Sequence, residues 1–218
     1  MKEVTVIVPV SNSMPHLETM LGCLYSSTSF PFKLIIIESE STDFTNVFVD
    51  EFAKHHSNVQ VVHTKKEGLT KAINLGIRLA GDTDVYITQD DVIHFRLYGR
   101  DWLAEMWKLA KDKKIGVITC LNGGGISGQD YVDGMRWVGT WAIYLPRHTI
   151  DTVGFFDEKM SPGDDIDYCY RIGLAKLKGC MTDYWVQHHR LTEHGDVDTK
   201  AKQLKMSKYF KAKWGLNE

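Results

Sequence analysis

The sequence predicts an α/β fold, with a Rossmann-like, mostly parallel sheet flanked by helices. Short apolar runs rich in β-branched residues alternate with segments of helical periodicity through the first 92 residues. Strands that alternate with helices of about ten residues are joined by right-handed crossovers and therefore lie parallel. The apolar runs are also nearly continuous, as is typical of strands that are covered on both faces of a sheet.

Each element of this first half follows from a local pattern. The β-branched run Val4–Val10 predicts a strand, which Pro9 and the turn Ser11-Asn12-Ser13 bring to an end. Leucine and methionine at helical spacing predict a helix over residues 15–28, with Ser13 as its N-cap. The same patterns predict strands at residues 32–37, 59–62 and 84–89, and helices at residues 44–56 and 68–80.

The chain after residue 92 is less regular. It predicts a helix at residues 103–110, a strand at 115–120, a glycine-rich loop at 121–134, a strand at 138–145, a loop at 157–165, a helix at 166–177, a strand at 180–186 and a lysine-rich last helix. The lysines of the last helix are interpreted as a solvated face, with attraction of an anionic partner as the alternative. No linker separates the halves, so we expect one domain over residues 1–218, with a regular half at 1–92 and an irregular half at 93–218.

Composition and charge exclude several classes of protein. The chain of 218 residues is 43% hydrophobic and 25% charged, as in an ordinary globular protein. A net charge of -2 provides no basic surface, so we expect no nucleic-acid partner. Four scattered cysteines without a CxxC pair indicate a reducing compartment. The sequence has no signal-peptide pattern and no apolar run of about 20 residues, so we expect no membrane span and a cytoplasmic protein, with peripheral contact to a membrane left open.

The first candidate site is the carboxylate pair Asp90-Asp91, which directly follows a buried strand. In an open α/β sheet, ligands bind beyond the carboxyl ends of the strands. A hard divalent ion such as Mg²⁺ or Mn²⁺ accepts a few carboxylates and completes its shell with waters and substrate phosphates. Aspartate is also common in turns after strands, so a purely structural role is the alternative.

Two further groups are candidates. Asp164, Asp165 and Asp167 lie at the predicted start of a helix, where capping favours aspartate, but one cap needs only one carboxylate. A carboxylate held there beside a cleft can act as a general base. His188-His189 and His194 follow the last predicted strand, and a neutral imidazole can be a further metal ligand. Trp137 and Trp141 are either core residues or a stacking platform for a sugar ring.

Taken together, these segments resemble the successive motifs of family 2 glycosyltransferases of the GT-A fold. The resemblance covers about residues 5–189 and rests on the order and spacing of five motifs. They are Thr5-Val6-Ile7-Val8-Pro9-Val10, Glu38-Ser39-Glu40-Ser41-Thr42-Asp43, Gly68-Leu69-Thr70-Lys71-Ala72-Ile73-Asn74-Leu75-Gly76, Gln89-Asp90-Asp91 and Gly154-Phe155-Phe156-Asp157-Glu158 with Gly163-Asp164-Asp165-Ile166-Asp167. Thr88 stands where many members of the family have an aspartate.

The resemblance implies a metal-dependent, inverting transfer of a sugar from a nucleotide-diphosphate donor, with a UDP-sugar preferred, to a hydroxyl of a glycan, lipid-linked or protein-linked acceptor. Residues 1–92 would bind the nucleotide, and residues 93–218 would bind the acceptor and carry the base. The implied roles are donor binding by Pro9, Val10, Ser11, Glu38, Lys71 and Asp90, binding of Mn²⁺ or Mg²⁺ by Asp91 and His188, and proton removal by Asp165, with Asp164 as the alternative base.

This set of parts suits the chemistry. Breaking a sugar–phosphate bond develops charge on the departing diphosphate, and a weakly acidic acceptor hydroxyl needs a base. A nucleotidyltransferase is the nearest alternative, but Pro9-Val10-Ser11-Asn12 occupies the place of its glycine-rich loop. A non-catalytic nucleotide- or carbohydrate-binding module with the same fold is the second alternative.

Overall fold

The computed structural model describes residues 3–96, 99–122, 131–132, 135–136, 138–161, 163–189 and 199–216. Its first half alternates strands and helices as the sequence predicts. The elements are β1 (Val4–Val10), α1 (His16–Ser27), β2 (Phe32–Ser39), α2 (Thr45–His55), β3 (Val59–Thr64), α3 (Leu69–Ala80) and β4 (Asp84–Thr88). The predicted His194, Trp137 and most of the glycine-rich loop lie outside the described residues.

The second half adds elements of more varied length, from two residues in β7 and β8 to 16 residues in α7. They are β5 (Val92–His94), α4 (Trp102–Leu109), β6 (Ile115–Asn122), β7 (Tyr131–Val132), β8 (Met135–Arg136), β9 (Ala142–Leu145), α5 (Arg147–Val153), α6 (Asp164–Leu174), β10 (Lys178–His188) and α7 (Thr199–Trp214). β7 and β8 form a separate two-stranded ribbon.

One eight-stranded sheet runs through both halves in the order β3-β2-β1-β4-β9-β6-β10-β5. Strands β1 to β4 are mutually parallel where they pair, which confirms the predicted first half. Their carboxyl ends therefore lie along one edge of the sheet. The second half is mixed: β9 lies antiparallel between β4 and β6, and β5 pairs antiparallel with β10. The fold is thus an α/β sandwich with a parallel half and a mixed half.

Helices cover both faces of the sheet. Successive side chains of a strand point to opposite faces, so Val6 and Val8 join one core with α1, α2 and α4, while Ile7 joins another with α3, α5 and α6. Helix α3 approaches β1 closely at Gly76, because a Cβ at that position would collide with the side chain of Ile7. This close contact holds α3 against the middle of β1.

One local prediction is wrong, and another holds only in part. Ser13 does not cap α1 through its side chain, because its hydroxyl donates to Asp90 instead. The last helix is not uniformly solvated, because the ammonium of Lys213 pairs with Asp157 and Asp167. Within the described residues, no helix combines the length and apolarity that crossing a membrane requires. The cytoplasmic placement stays a prediction.

Candidate active site

A cleft of about 300 Å³ lies at the carboxyl ends of β1 and β4, beside the start of α3. Five residues that the sequence singled out line it together, namely Pro9, Val10, Ser11, Asp90 and Asp91. Six others that were given no individual role also line it, namely Ser39, Lys66, Gly68, Leu69, Ala72 and Gln89. The parallel half of the sheet brings them together because strand ends distant in sequence meet at one edge.

The turn between β1 and α1 orients the carboxylate of Asp90. The hydroxyl of Ser13 donates to the Asp90 carboxylate, and the amide of Ser11 donates to the Ser13 hydroxyl oxygen at 3.1 Å. Burial raises the pKa of Asp90, and the neighbouring charge of Asp91 adds to that rise. Ser13 thus orients a carboxylate that faces the cleft, a role that replaces its predicted function as an N-cap.

Strand pairing brings His188 beside Asp91. Val92 is the register partner of His188 between β5 and β10, and the amide of His189 donates to the Asp91 carbonyl at 3.0 Å. The His188 Nε2 consequently lies 3.3 Å from Asp91 Oδ1. The ring of Trp141 stacks on the His188 ring, with centroids 5.4 Å apart and planes inclined by 18°. This stacking on His188 favours a packing role for Trp141 over a role as an exposed stacking platform for a sugar ring.

The donor set of Asp91 and His188 fits a divalent ion. Ligand atoms in adjacent positions of an octahedral ion with bonds of about 2.1 Å lie about 3 Å apart, and the observed separation is 3.3 Å. Within the described part of the chain, no cluster of three or more potential ligands is present. An ion held by two protein groups leaves positions for water and phosphate oxygens, which is how Mg²⁺ sites are commonly built.

Glu38 does not line the cleft but supports its wall. Its Oε1 accepts from the amide of Ser41 at 2.7 Å, and its Oε2 contacts His63 Nδ1 at 2.8 Å. The other ring nitrogen of His63 contacts Asp50 Oδ1 at 2.9 Å. Burial opposes ionisation of Glu38, but the hydrogen bonds from His63 and Ser41 outweigh it and lower the pKa of Glu38. The Glu38 carboxylate therefore orders the loop after β2.

Lys71 and Thr88 lie at the margin of this arrangement. Lys71 lines a neighbouring pocket of about 320 Å³ that shares Ser39, Gly68 and Ala72 with the cleft. Its ammonium is 3.1 Å from Glu67 Oε1, one helical turn away. Thr88 is fully buried, and its hydroxyl donates to the Trp141 carbonyl at 3.1 Å. Many members of the family have an acid at this position, whereas here Thr88 links the end of β4 to the residue before β9.

The second carboxylate group lies at the start of α6. Gly163, with a φ of 109°, turns the chain into the helix, and Asp164 and Asp165 form its first turn. Burial raises the pKa of Asp164 to about 6. Burial and then the charge of Asp164 raise the pKa of Asp165 to about 7. The amide of Ile166 donates to Asp165 Oδ1 at 2.8 Å. The structure thus holds two adjacent carboxyl groups that titrate near neutral pH.

Asp167, the third acid of this group, is committed elsewhere. It is fully buried and pairs with Arg171 at 2.9 Å and with Lys213 at 2.6 Å. These contacts distinguish Asp167 from Asp164 and Asp165. Sequence spacing could not predict this difference, because Lys213 lies on α7. Only Asp164 and Asp165 stay available for proton transfer.

Comparison with known proteins defines the class and then the family. The fold is that of the GT-A glycosyltransferases: the mannosyltransferase PcManGT from Pyrobaculum calidifontis, solved with GDP-Man and Mn²⁺, superposes with a TM-score of 0.77 and 22% identity over 99% of this chain and 64% of its own. The chain belongs to glycosyl transferase family 2, whose model matches residues 5–164.

Two other solved structures share the fold, and a curated relative matches about half of this chain. GalNAc-T7, solved with UDP, GalNAc and Mn²⁺, gives a TM-score of 0.76 at 13% identity over 95% of this chain and 48% of its own. Staphylococcus aureus TarS 1-349, solved with UDP-GlcNAc, gives 0.68 at 18% over 94% and 65%. The uncharacterized glycosyltransferase EpsJ of Bacillus subtilis is 24% identical over 118 residues, which are 54% of this chain and 33% of EpsJ. The chain therefore spans about a third of that curated relative.

Proposed function

We propose that this chain is a metal-dependent, inverting glycosyltransferase that moves a sugar from a nucleotide-diphosphate donor, a UDP-sugar in the first instance, to a hydroxyl. The observation that carries the proposal is the cleft at the strand ends, in which Asp90 and Asp91 lie together with His188 against Asp91. Family membership supports it, as do fold relatives solved with GDP-Man, UDP or UDP-GlcNAc.

In this proposal the donor nucleotide binds between the β1 end and the start of α3. Pro9, Val10 and Ser11 contact the nucleoside, and Asp90 receives the ribose or sugar hydroxyls, because a carboxylate is a strong acceptor for them. Glu38 acts through the loop after β2, which it orders. Lys71 lies in the adjoining pocket and attracts the donor's negative charge from there.

Asp91 and His188 are the proposed ligands of Mn²⁺ or Mg²⁺, in accordance with the fit of their donor atoms. A divalent ion bound there supplies positive charge to the departing diphosphate. GalNAc-T7 and PcManGT were each solved with Mn²⁺, which supports a divalent ion in this fold. Trp141 keeps the His188 ring oriented by stacking on it.

Asp165 is the proposed base, with Asp164 as the alternative. A general base is most effective when its pKa lies near the working pH, and the pKa of Asp165 is about 7. Asp165 is also partly exposed, whereas Asp164 is buried. Asp165 takes the proton from the acceptor hydroxyl as that oxygen forms its bond to the anomeric carbon and the bond to the diphosphate breaks. A single displacement inverts the anomeric centre.

The acceptor hydroxyl belongs to a glycan that is free, lipid-linked or protein-linked. No observation favours the nucleotidyltransferase alternative, since Pro9 and Val10 at the end of β1 and Ser11 after it line the cleft where that class carries a glycine-rich loop. A binding module without catalysis is separated from the proposal by the experiment that follows.

Nucleotide release from UDP- and GDP-sugars in the presence of Mn²⁺ tests the proposal. We expect release from a UDP-sugar, with kcat rising with pH through about 7, because the base must be deprotonated and the pKa of Asp165 is about 7. Asp165→Asn should lower kcat by about 10²- to 10⁴-fold, the usual contribution of a general base, and leave UDP binding by calorimetry intact.

Asp164→Asn is the matched control and should lower kcat less than Asp165→Asn does. The reverse order would move the base to Asp164. UDP binding without turnover from any donor would support the binding module, and the absence of both would contradict the proposed function.

A further inference from the structure

The last helix, α7, packs on α6 rather than standing free in solvent. The ring of Tyr170 on α6 contacts Phe210 at 5.4 Å and Trp214 at 4.8 Å between centroids. Phe210 is buried, with 3% of its surface exposed. The two helices therefore share an aromatic contact one to two turns behind Asp164 and Asp165.

Two polar groups of α7 extend beyond this contact to the acids around α6. The Lys213 ammonium lies 2.7 Å from Asp157 Oδ2 and 2.6 Å from Asp167 Oδ1. The indole N–H of Trp214 donates to the same Asp167 oxygen at 2.9 Å. Asp157 lies in the loop that enters α6, and Asp167 lies in the first turn of α6. Lys213 thus connects the loop and the helix on either side of Asp164 and Asp165.

Lys213 is well placed to keep its charge. Its side chain is 24% exposed, and Asp167 is fully buried. Burial opposes the charged ammonium, but the hydrogen bonds to Asp157 and Asp167 outweigh burial and raise the pKa of Lys213. An unpaired buried carboxylate is strongly destabilising, which gives the Asp167 pairs their importance.

We propose that Lys213 and Trp214 are positioning residues for the proposed general base, since they fix the first turn of α6 and the loop that leads into it. The inference rests on the proposed function in assigning Asp165, or Asp164, as the base. The residues of α7 do not reach the reacting atoms in this scheme and act through Asp157 and Asp167.

The electrostatic consequence has a definite sign. The charge of Asp167 raises the pKa of Asp164, and the charge of Asp164 raises that of Asp165. Loss of the Lys213 charge leaves Asp167 less compensated, so both carboxyl pKa values should rise. The other groups facing the pair within the described residues are Cys169, which interacts with Asp165, and Arg171, which shares Asp167. The hydroxyl of Thr70 on α3 faces Asp164 and acts in the opposite direction.

The test compares Lys213→Met with Lys208→Met. Lys208 lies on the same helix, is exposed, and makes no ion pair with the described part of the chain. We expect Lys213→Met to lower kcat tenfold or more and to change the donor KM less than twofold. The rising limb of its pH profile should move to higher pH, and the carboxyl pKa values of Asp164 and Asp165, measured by ¹³C NMR, should rise. Lys208→Met should match the wild type, and Lys213→Arg should retain most of the activity.

Carboxyl pKa values in Lys213→Met that equal those in Lys208→Met would overturn the inference, whatever happens to turnover. If Lys213→Met fails to fold, Trp214→Phe keeps an aromatic ring beside Tyr170 but removes the indole N–H together with the five-membered ring, and the same upward shift of smaller size is then expected. A wild-type protein that releases no nucleotide contradicts the proposed function, whereas the NMR titration still decides the positioning role.

Discussion

Asp165 shows how a residue can favour chemistry at the expense of stability. Its carboxyl group is held next to Asp164 in a setting where burial disfavours ionisation, and its pKa is about 7. That value suits proton transfer near neutral pH. It also means that ionising Asp165 costs more in the folded chain than in the unfolded chain, so the free energy of unfolding is lowered at the pH at which the proposed base would act.

The raised pKa of Asp165 predicts that the free energy of unfolding depends on pH within a defined range. An unfolded aspartate has a pKa of about 3.9, so between that value and about 7 the native state binds more protons than the unfolded state. Stability should therefore fall as pH rises through this range. Asp165→Asn should exceed the wild type in free energy of unfolding at pH 8, with the difference vanishing near pH 4. Urea denaturation at both pH values measures it.

Asp164→Asn provides the comparison. Because the pKa of the Asp164 carboxyl is about 6, its removal should raise the free energy of unfolding at pH 8 by less than Asp165→Asn does. A wild type that is as stable as Asp165→Asn at pH 8 would contradict the prediction.

At the scale of elements, sequence periodicity predicts all of the first half and also α4, β6, α6, β10 and α7 of the second half, but it misses β5, β7, β8 and α5. β1 to β4 are buried apolar runs separated by full helices, so local pattern determines both their type and their direction. β9 has only four residues and lies antiparallel to two neighbours that are far away in sequence. β5 has three residues, and its place at the sheet edge depends on β10. Nothing local signals such long-range pairings.

The residues of the candidate site also differ in how far the sequence could predict their positions. Residues on the parallel strand ends could be predicted to meet, and Pro9, Val10, Ser11, Asp90 and Asp91 do line one cleft. The contact of Ser13 with Asp90 and the commitment of Asp167 to Lys213 could not be predicted, because each partner is chosen by tertiary packing.

The close packing of α3 on β1 can be tested with a matched pair of glycines. Gly76→Ala places a Cβ against Ile7 and should destabilise the protein by about 1–3 kcal/mol, as overpacking does. Gly22→Ala on α1 has nothing within 4 Å of its new Cβ, so it should be neutral or stabilise by about 0.5–1 kcal/mol through helix propensity. Equal stabilities for the two variants in chemical denaturation would contradict the described contact.

At the scale of the whole molecule, one sheet runs from β3 to β5 and contains strands from both halves of the chain. We propose that residues 1–218 act as one domain, with the nucleotide bound by the first half and the acceptor and base placed in the second. The parts of the site come from both ends of the chain, since Pro9 and His188 belong to β1 and β10.

Ligand binding should therefore stabilise the molecule as a unit. UDP at about 100 times its Kd contributes about 2.7 kcal/mol, which for a chain of this size corresponds to a rise in Tm of about 5–10 °C. We expect a single unfolding transition and a larger shift when Mn²⁺ accompanies UDP. Asp91→Asn should lose the Mn²⁺-dependent part, and Lys208→Met should keep it. A UDP shift that Mn²⁺ does not enlarge in the wild type would contradict the proposed metal site.

The pairing of β5 with β10 has a consequence for the time at which the site can exist. Asp91 and His188 are separated by about 100 residues of chain, and a ribosome adds about 5–20 residues each second. Several seconds of synthesis therefore pass after Asp91 is made before its histidine neighbour exists. During that interval a nascent chain can contain all four parallel strands but cannot assemble the proposed two-residue ion site, so metal binding at the proposed site would have to wait until β10 has been synthesised.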